Sequence, residues 1–352
     1  MTSAIVMAAG KGTRMKTEHA KTMHKVLDKP MLQHIYDTLQ KVGVDDIVFV
    51  VGHGADEIKS YFGTKVNYAI QSPQLGSGHA VMQATSVKNN RGKTLIINGD
   101  CPLIQPETYE KLLKAGDEYP LVLLTTEPDD AASYGRIIRN EAGEVLRIVE
   151  KKDANEEELK VREINVGIYC VNNEMLWNYL PEIKNNNAQK EYYVTDLVEI
   201  FRRHGYKVGA VVADDWQEMS GINNRRELAA ATKWLQLKIN NFWMDRGVSI
   251  VSPETTFISP DAEIGEDTVI YGNVRIEGKT TIGVENTITE GTYIKNSQIG
   301  DYNTIISSRI LDSRIGNNKT LGPWENLTGE KSEETADSKD ITEHNFRERF
   351  KR

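Results

Sequence analysis

"AIVMAAGKGTRMKTEHAK", residues 4–21, is the stretch on which the fold reading turns. The apolar run Ala4–Ala9 has the length of a buried strand and leads straight into Gly10 and Gly12. Permissive dihedrals at such a turn let several backbone N–H groups aim at one anion, and Lys11, Arg14 and Lys21 add positive charge close by. A phosphate-bearing ligand is the expectation. Two common phosphate loops do not fit. A Walker loop needs glycine where Ile5 stands, and a dinucleotide fingerprint needs a third glycine where Met15 stands.

Outward from this stretch, short apolar runs alternate with amphipathic ones. Residues 46–52, 94–100 and 121–126 read as further strands, and residues 30–43 read as a helix with Leu32, Ile35, Leu39 and Val42 on one face and Gly43 closing it. The pattern predicts an open α/β domain over residues 1–225, with a mixed, mostly parallel sheet, helices on both faces and ligands at the carboxyl ends of the strands. "RRELAAATKWLQLKINNFWMD" then predicts one long helix, a linker over 226–247, with Leu228, Trp234, Leu235, Leu237 and Phe242 as its apolar residues. Beyond it, Ile-Gly doublets recur at 264–265, 282–283, 299–300 and 315–316, spacings of 18, 17 and 16 residues. That is close to three hexapeptides per turn. It predicts a short left-handed parallel β-helix of about four coils over 248–323, followed by a charged, disordered tail over 324–352.

A chain of 352 residues leaves room for two domains, and 39% hydrophobic with 27% charged residues describes a globular protein. A formal charge of −8 argues against a nucleic-acid partner, while leaving a local cationic cluster for a small phosphorylated substrate. Cys101 and Cys170 read as reduced core residues, and His19, His24, His53 and His79 form no metal pattern. No run reaches membrane-spanning length and the N-terminus has no signal-peptide pattern, so a cytoplasmic protein without a membrane partner is expected.

Further stretches make the phosphate reading specific. "AAGKGTRM" followed by a lysine resembles the signature of sugar-phosphate nucleotidyltransferases. With it stand "QLGSGHA" (74–80), "NGDCPL" (98–103), "YGRI" (134–137), "VEKKDA" (149–154), "EINVGIY" (163–169), "NNNAQKEYYVTD" (185–196) and "GINNR" (221–225). In this order they resemble the uridylyltransferase half of the bacterial bifunctional N-acetylglucosamine-1-phosphate uridylyltransferase/glucosamine-1-phosphate acetyltransferases, from residue 1 to about 323. The resemblance implies a Rossmann-like nucleotidyltransferase domain that joins UTP to N-acetylglucosamine 1-phosphate and releases pyrophosphate. It assigns catalysis to Arg14 and Lys21, and the nucleotide to Ala8, Ala9, Gly10, Gly12, Gln71, Gly76 and Ser77. It assigns the sugar phosphate to Gly135, Glu150, Asn165 and Thr195, and Mg²⁺ to Asp100 and Asn223. A homotrimer through the β-helix is implied as well. An alternative of another class is a catalytically silent assembly or regulatory protein of the same fold.

Three positions depart from that family's pattern. Ala20 stands where proline is usual before the lysine, which frees the backbone that places Lys21. Asn98 replaces a common aromatic, and Val166 replaces a hydroxyl residue beside Asn165, with sugar selectivity at stake. The coils stop after "TLGP" (320–323), before the family's acetyl-transfer segments, so no acetyltransferase activity is expected.

Overall fold

A computed structural model describes residues 1–131 and 134–329. The tail expected over 324–352 lies outside the described residues from 330 onward. Two compact units divide within the helix Arg225–Met244, the first ending at Ala231 and the second beginning at Thr232.

The first unit is built on a nine-stranded sheet. Its main path runs Val208–Val212, Leu121–Thr126, Ile164–Asn172, Lys93–Asn98, Thr2–Ala8, Asp46–Val51, Asn67–Ile70. Every pairing on that path is parallel except the two made by Ile164–Asn172. Alternation along the opening strand explains the layers. Ala4, Val6 and Ala8 face one core with Leu32, Ile35 and Leu39 of the helix Met31–Lys41 and with Ile58 and Phe62 of the helix Ala55–Phe62. Ile5 faces the other, with Ala80 and Val81 of the helix Ser77–Gln83 and Leu197, Val198 and Phe201 of the helix Leu197–Arg203. Gly43 adopts φ +71° just past the end of its helix, as the sequence suggests. Cys101 and Cys170 are buried and unpaired.

Parallel pairing puts the functional segments at one edge. Ala8 pairs with Val51 and Met7 with Asn98, so the loops after those strands leave the sheet together. The glycine loop, Gly52–Gly54, Gln71 and Asp100 therefore all lie at the carboxyl ends of neighbouring parallel strands.

In the second unit, short parallel strands stack into three sheets. Three apolar columns fill the space between them: Ile258, Ile276, Ile294, Ile310 and Leu327; Ile264, Ile282, Ile299 and Ile315; Ile270, Ile288, Ile305 and Leu321. The Ile-Gly doublet is one corner of this prism. A Cβ on Gly265 would lie 2.6 Å from the Gly283 carbonyl, so each coil's backbone nearly touches the next. The last described strand, Asn326–Thr328, pairs with Arg309–Leu311 and lies beyond residue 323. The helix ahead of the coils is fixed by buried amides rather than by grease alone. Gln236 Nε2 donates to the Pro253, Glu254 and Thr256 carbonyls and Asn240 Nδ2 to those of Pro253 and Thr256. Phe242, expected on an apolar face, is instead 44% exposed under the Arg246 guanidinium, and its neighbour Trp243 takes the buried position. Among the described residues no helix is long and apolar enough to cross a membrane.

Ile294 sits mid-column with no exposure. Ile294→Ala is expected to cost about 2–5 kcal/mol in urea unfolding of the coils, whereas Tyr302→Ala, half exposed on the same coils, stays within about 0.5 kcal/mol.

Candidate active site

Four residues far apart in the chain meet beyond the sheet edge. Lys21 Nζ donates to Asp100 Oδ2 at 2.5 Å and to Asn223 Oδ1 at 2.8 Å, and Arg14 donates to the same Asn223 oxygen at 2.8 Å. Two cations thus share one carboxylate and one amide, which leaves the cluster net positive and suited to an anionic ligand. The ion pair is well sheltered, with side-chain exposures of 12% for Lys21 and 25% for Asp100.

Local structure explains each placement. Lys21 opens a 3-10 turn, Lys21–Met23, and its stem lies against Gly12, which takes φ +58°. Asp100 follows the strand Lys93–Asn98, and its carbonyl accepts from the Ile222 N–H at 2.9 Å, which fastens the loop carrying Asn223. Asn223 Nδ2 is turned back to the Gly221 carbonyl, so its oxygen faces the cations. Asn224 then caps the helix Arg225–Met244. Its Oδ1 accepts from the Arg226 and Glu227 N–H groups, while Glu227 accepts from the Asn223 N–H at 2.6 Å.

The residues expected to hold the nucleotide form a second group. Gln71, 5% exposed, donates through Nε2 to the Gly76 carbonyl at 2.9 Å, and the Ser77 hydroxyl accepts from the Val194 N–H at 3.0 Å. Gln74 Nε2 donates to the Ala9 carbonyl at 2.6 Å and so links this turn to the glycine loop. Ala8 and Ala9 are buried, whereas Gly10 is exposed with open space where a side chain would stand.

Those expected to read the sugar form a third group. Gly135 faces the Glu150 carboxylate, and its carbonyl accepts from the Asn165 N–H. Asn165 is 8% exposed, with Nδ2 on the Tyr169 hydroxyl and Oδ1 accepting from the Gly167 N–H. Burial, then Asp153 and Asp196, push the Glu150 carboxyl upward, and burial, then Glu199 and Asp153, raise Asp196 to about 6. Thr195 lies buried in the turn Val194–Asp196, which packs against both the helix Ser77–Gln83 and the strand Val145–Val149. That turn joins the nucleotide group to the sugar group. Val166 is 3% exposed and packs in the core with Leu124 and Ile168, and Asn98 Nδ2 donates a long 3.4 Å bond to its carbonyl.

Comparison with known proteins shows the family. The nucleotidyl transferase family model matches residues 3–249. The "Bifunctional protein GlmU" of Halalkalibacterium halodurans is 43% identical over 92% of this chain and 72% of its own length. That of Lactobacillus delbrueckii subsp. bulgaricus is 46% identical over 92% and 71%, and that of Clostridioides difficile 44% over 91% and 70%. The chain belongs to the GlmU family of nucleotidyltransferases. It is an enzyme of the uridylyltransferase class, as the motifs imply.

Three residues that tie these groups together are not singled out from the sequence. Gln74 and Tyr134 lie inside quoted stretches, yet nothing in their type marks them as the residues that accept or donate across segments; Tyr134 takes the Gly221 N–H at 3.2 Å. Glu227 does carry a signal, the Asn-x-x-Glu spacing of a capping box from Asn224.

Gly76, at φ +109°, is the tightest joint of the nucleotide group, because a Cβ there would stand 2.5 Å from the Tyr192 carbonyl oxygen. That oxygen holds the Gly78 N–H at 2.8 Å. Gly76→Ala is expected to raise the KM for the nucleotide about tenfold, equivalent to about 1.4 kcal/mol, with far-UV circular dichroism unchanged. Steady-state kinetics against nucleotide concentration checks it.

Proposed function

We propose that this enzyme transfers UMP from UTP to N-acetylglucosamine 1-phosphate, with Mg²⁺, and releases pyrophosphate. The observation that carries the reading is the convergence of Arg14, Lys21, Asp100 and Asn223 on a few ångströms of space at the end of the sheet. In the reaction an oxygen of the sugar phosphate forms a bond to the α-phosphorus of UTP while the bond from that phosphorus to the bridging oxygen of pyrophosphate breaks. Such transfer calls on the protein for positioning and charge neutralisation, with no protein nucleophile required.

The donor set suits the proposed metal. Asp100 Oδ2 and Asn223 Oδ1 are hard oxygens that already accept from one cation, the Lys21 ammonium, so their separation fits a single positive centre. Among the described residues no group of three or more His, Cys, Asp or Glu side chains gathers as a metal cage. A site of one carboxylate and one amide leaves the remaining positions to water and substrate phosphates, which is the habit of Mg²⁺. Bound there, Mg²⁺ would supply positive charge to the phosphate oxygens.

The chain's own residues do the rest. Arg14 offers a planar fork and Lys21 a compact charge to the phosphates around the reacting phosphorus. Ala8, Ala9, Gly10 and Gly12 shape the loop beside the triphosphate. Gln71 has its carbonyl oxygen to spare for a uracil edge, its Nε2 being engaged by the Gly76 carbonyl and His79 Nδ1, with Gly76 and Ser77 forming the wall beside it. Gly135, Glu150, Asn165 and Thr195 line the sugar's opening, where the Asn165 amide, already anchored to Tyr169, presents a fixed geometry to hydroxyl or acetamido groups. Residues 1–225 carry the transfer in this reading, and the coils over 248–323 serve assembly as a homotrimer.

Pyrophosphate release with Mg²⁺, UTP and N-acetylglucosamine 1-phosphate, run beside glucose 1-phosphate and the other nucleoside triphosphates, tests the substrates. Strong release confined to the first pair is expected, and none with any pair from folded protein would contradict it. Asp100→Ala is expected to fold yet lose at least about 100-fold in kcat, the scale of removing one preorganised charge contact. Unchanged Mg²⁺-dependent turnover would remove Asp100 from the metal site.

A further inference from the structure

The Lys21 ammonium is held at its tip by Asp100 and Asn223, but its backbone begins from Ala20, a residue with no ring to lock φ. Ala20 nevertheless stands at φ −56° and ψ 126°, 1% exposed. Two contacts from one neighbouring segment hold it there. The Ala20 N–H donates to Glu57 Oε2 at 2.9 Å, and its methyl group lies where a side chain on Gly54 would be, 2.5 Å from that residue's notional Cβ. Glu57 sits in the first turn of the helix Ala55–Phe62, and its other oxygen lies 3.4 Å from His19 Nδ1. On the far side of Ala20, its carbonyl accepts from the Met23 N–H at 2.9 Å and closes the turn that starts at Lys21.

We propose that Glu57 is a positioning residue for Lys21. Its carboxylate fixes the φ of Ala20 through the N–H, so that the Lys21 side chain leaves the backbone in the direction of Asp100 and Asn223. This rests on the assignment of Lys21 to the reacting phosphates. The carboxylate does from outside what a ring would do from within, since proline locks φ near −65°, about where Ala20 already is. A charged acceptor also makes a stronger bond to a backbone N–H than a neutral one.

The relation yields a reciprocal test. Glu57→Ala is expected to lower kcat by between about 5- and 100-fold, the range for a small misplacement of a catalytic group, with the KM for UTP little changed. Glu57→Gln, which keeps an acceptor oxygen, loses less. In the Glu57→Ala background, Ala20→Pro is expected to restore most of kcat, because the ring supplies the restraint and no longer meets the carboxylate. A residue important only for stability would show lost melting temperature in step with lost activity and no recovery of kcat by the proline. Lys21→Ala, measured alongside, separates the two claims. If it keeps full turnover, the assignment of Lys21 fails. If it abolishes turnover while Glu57→Ala matches the wild type, or while Ala20→Pro recovers nothing in a folded double variant, the role of Glu57 is overturned.

Discussion

One ammonium between two oxygens organises the carboxyl end of the sheet. Lys21 Nζ spans Asp100 Oδ2 and Asn223 Oδ1 and thereby ties together the loop after the first strand, the end of the strand Lys93–Asn98 and the segment entering the helix Arg225–Met244. Removing a charged partner from so sheltered a pair leaves the other charge uncompensated, so the three segments depend on one another for their placement. The same constraint sets up the chemistry. A site that keeps two cations beside one carboxylate is prepared for a polyanion before any arrives, and charge neutralisation then needs little rearrangement.

Around that centre the segments proposed for recognition hold one another by bonds to the backbone. The turn Val194–Asp196 touches the helix behind the Gln71 and Ser77 group and the strand that leads to Glu150, so the groups proposed for nucleotide and sugar share a wall. Gln74 reaches from the first of these to the Ala9 carbonyl, and Tyr134 reaches from the sugar side to Gly221 beside Asn223. Positioning of this kind is what transfer between two bound substrates requires, since bringing reactants into line supplies much of the rate gain.

Much of this was legible in the sequence, for physical reasons. The opening strand announces itself because both faces are covered, so its apolar residues run without interruption. The Ile-Gly doublets mark the coils because one position must fill a column and the next must let adjacent backbones nearly touch. Asp100 and Asn223 stand in motifs whose order is informative, and they meet in space. Other features are carried by contacts between distant segments and leave no local pattern. Val166 stands where a hydroxyl residue is common beside Asn165, and a register shift in the strand Ile164–Asn172 and burial against Leu124 and Ile168 place it in the core. Phe242 is exposed and its neighbour Trp243 buried for a similar reason, since adjacent helical positions differ by about 100° and only packing decides which is buried.

The central claim is that Lys21 holds the oxygens that a metal takes when substrate is bound. A crystal structure of the protein with Mg²⁺ and UTP tests it most directly. The account predicts Mg²⁺ bonded to Asp100 Oδ2 and Asn223 Oδ1 at about 2.0–2.1 Å, with Lys21 Nζ moved onto a phosphate oxygen. Lys21 still bonded to both oxygens, with the metal held elsewhere on the triphosphate, would contradict it.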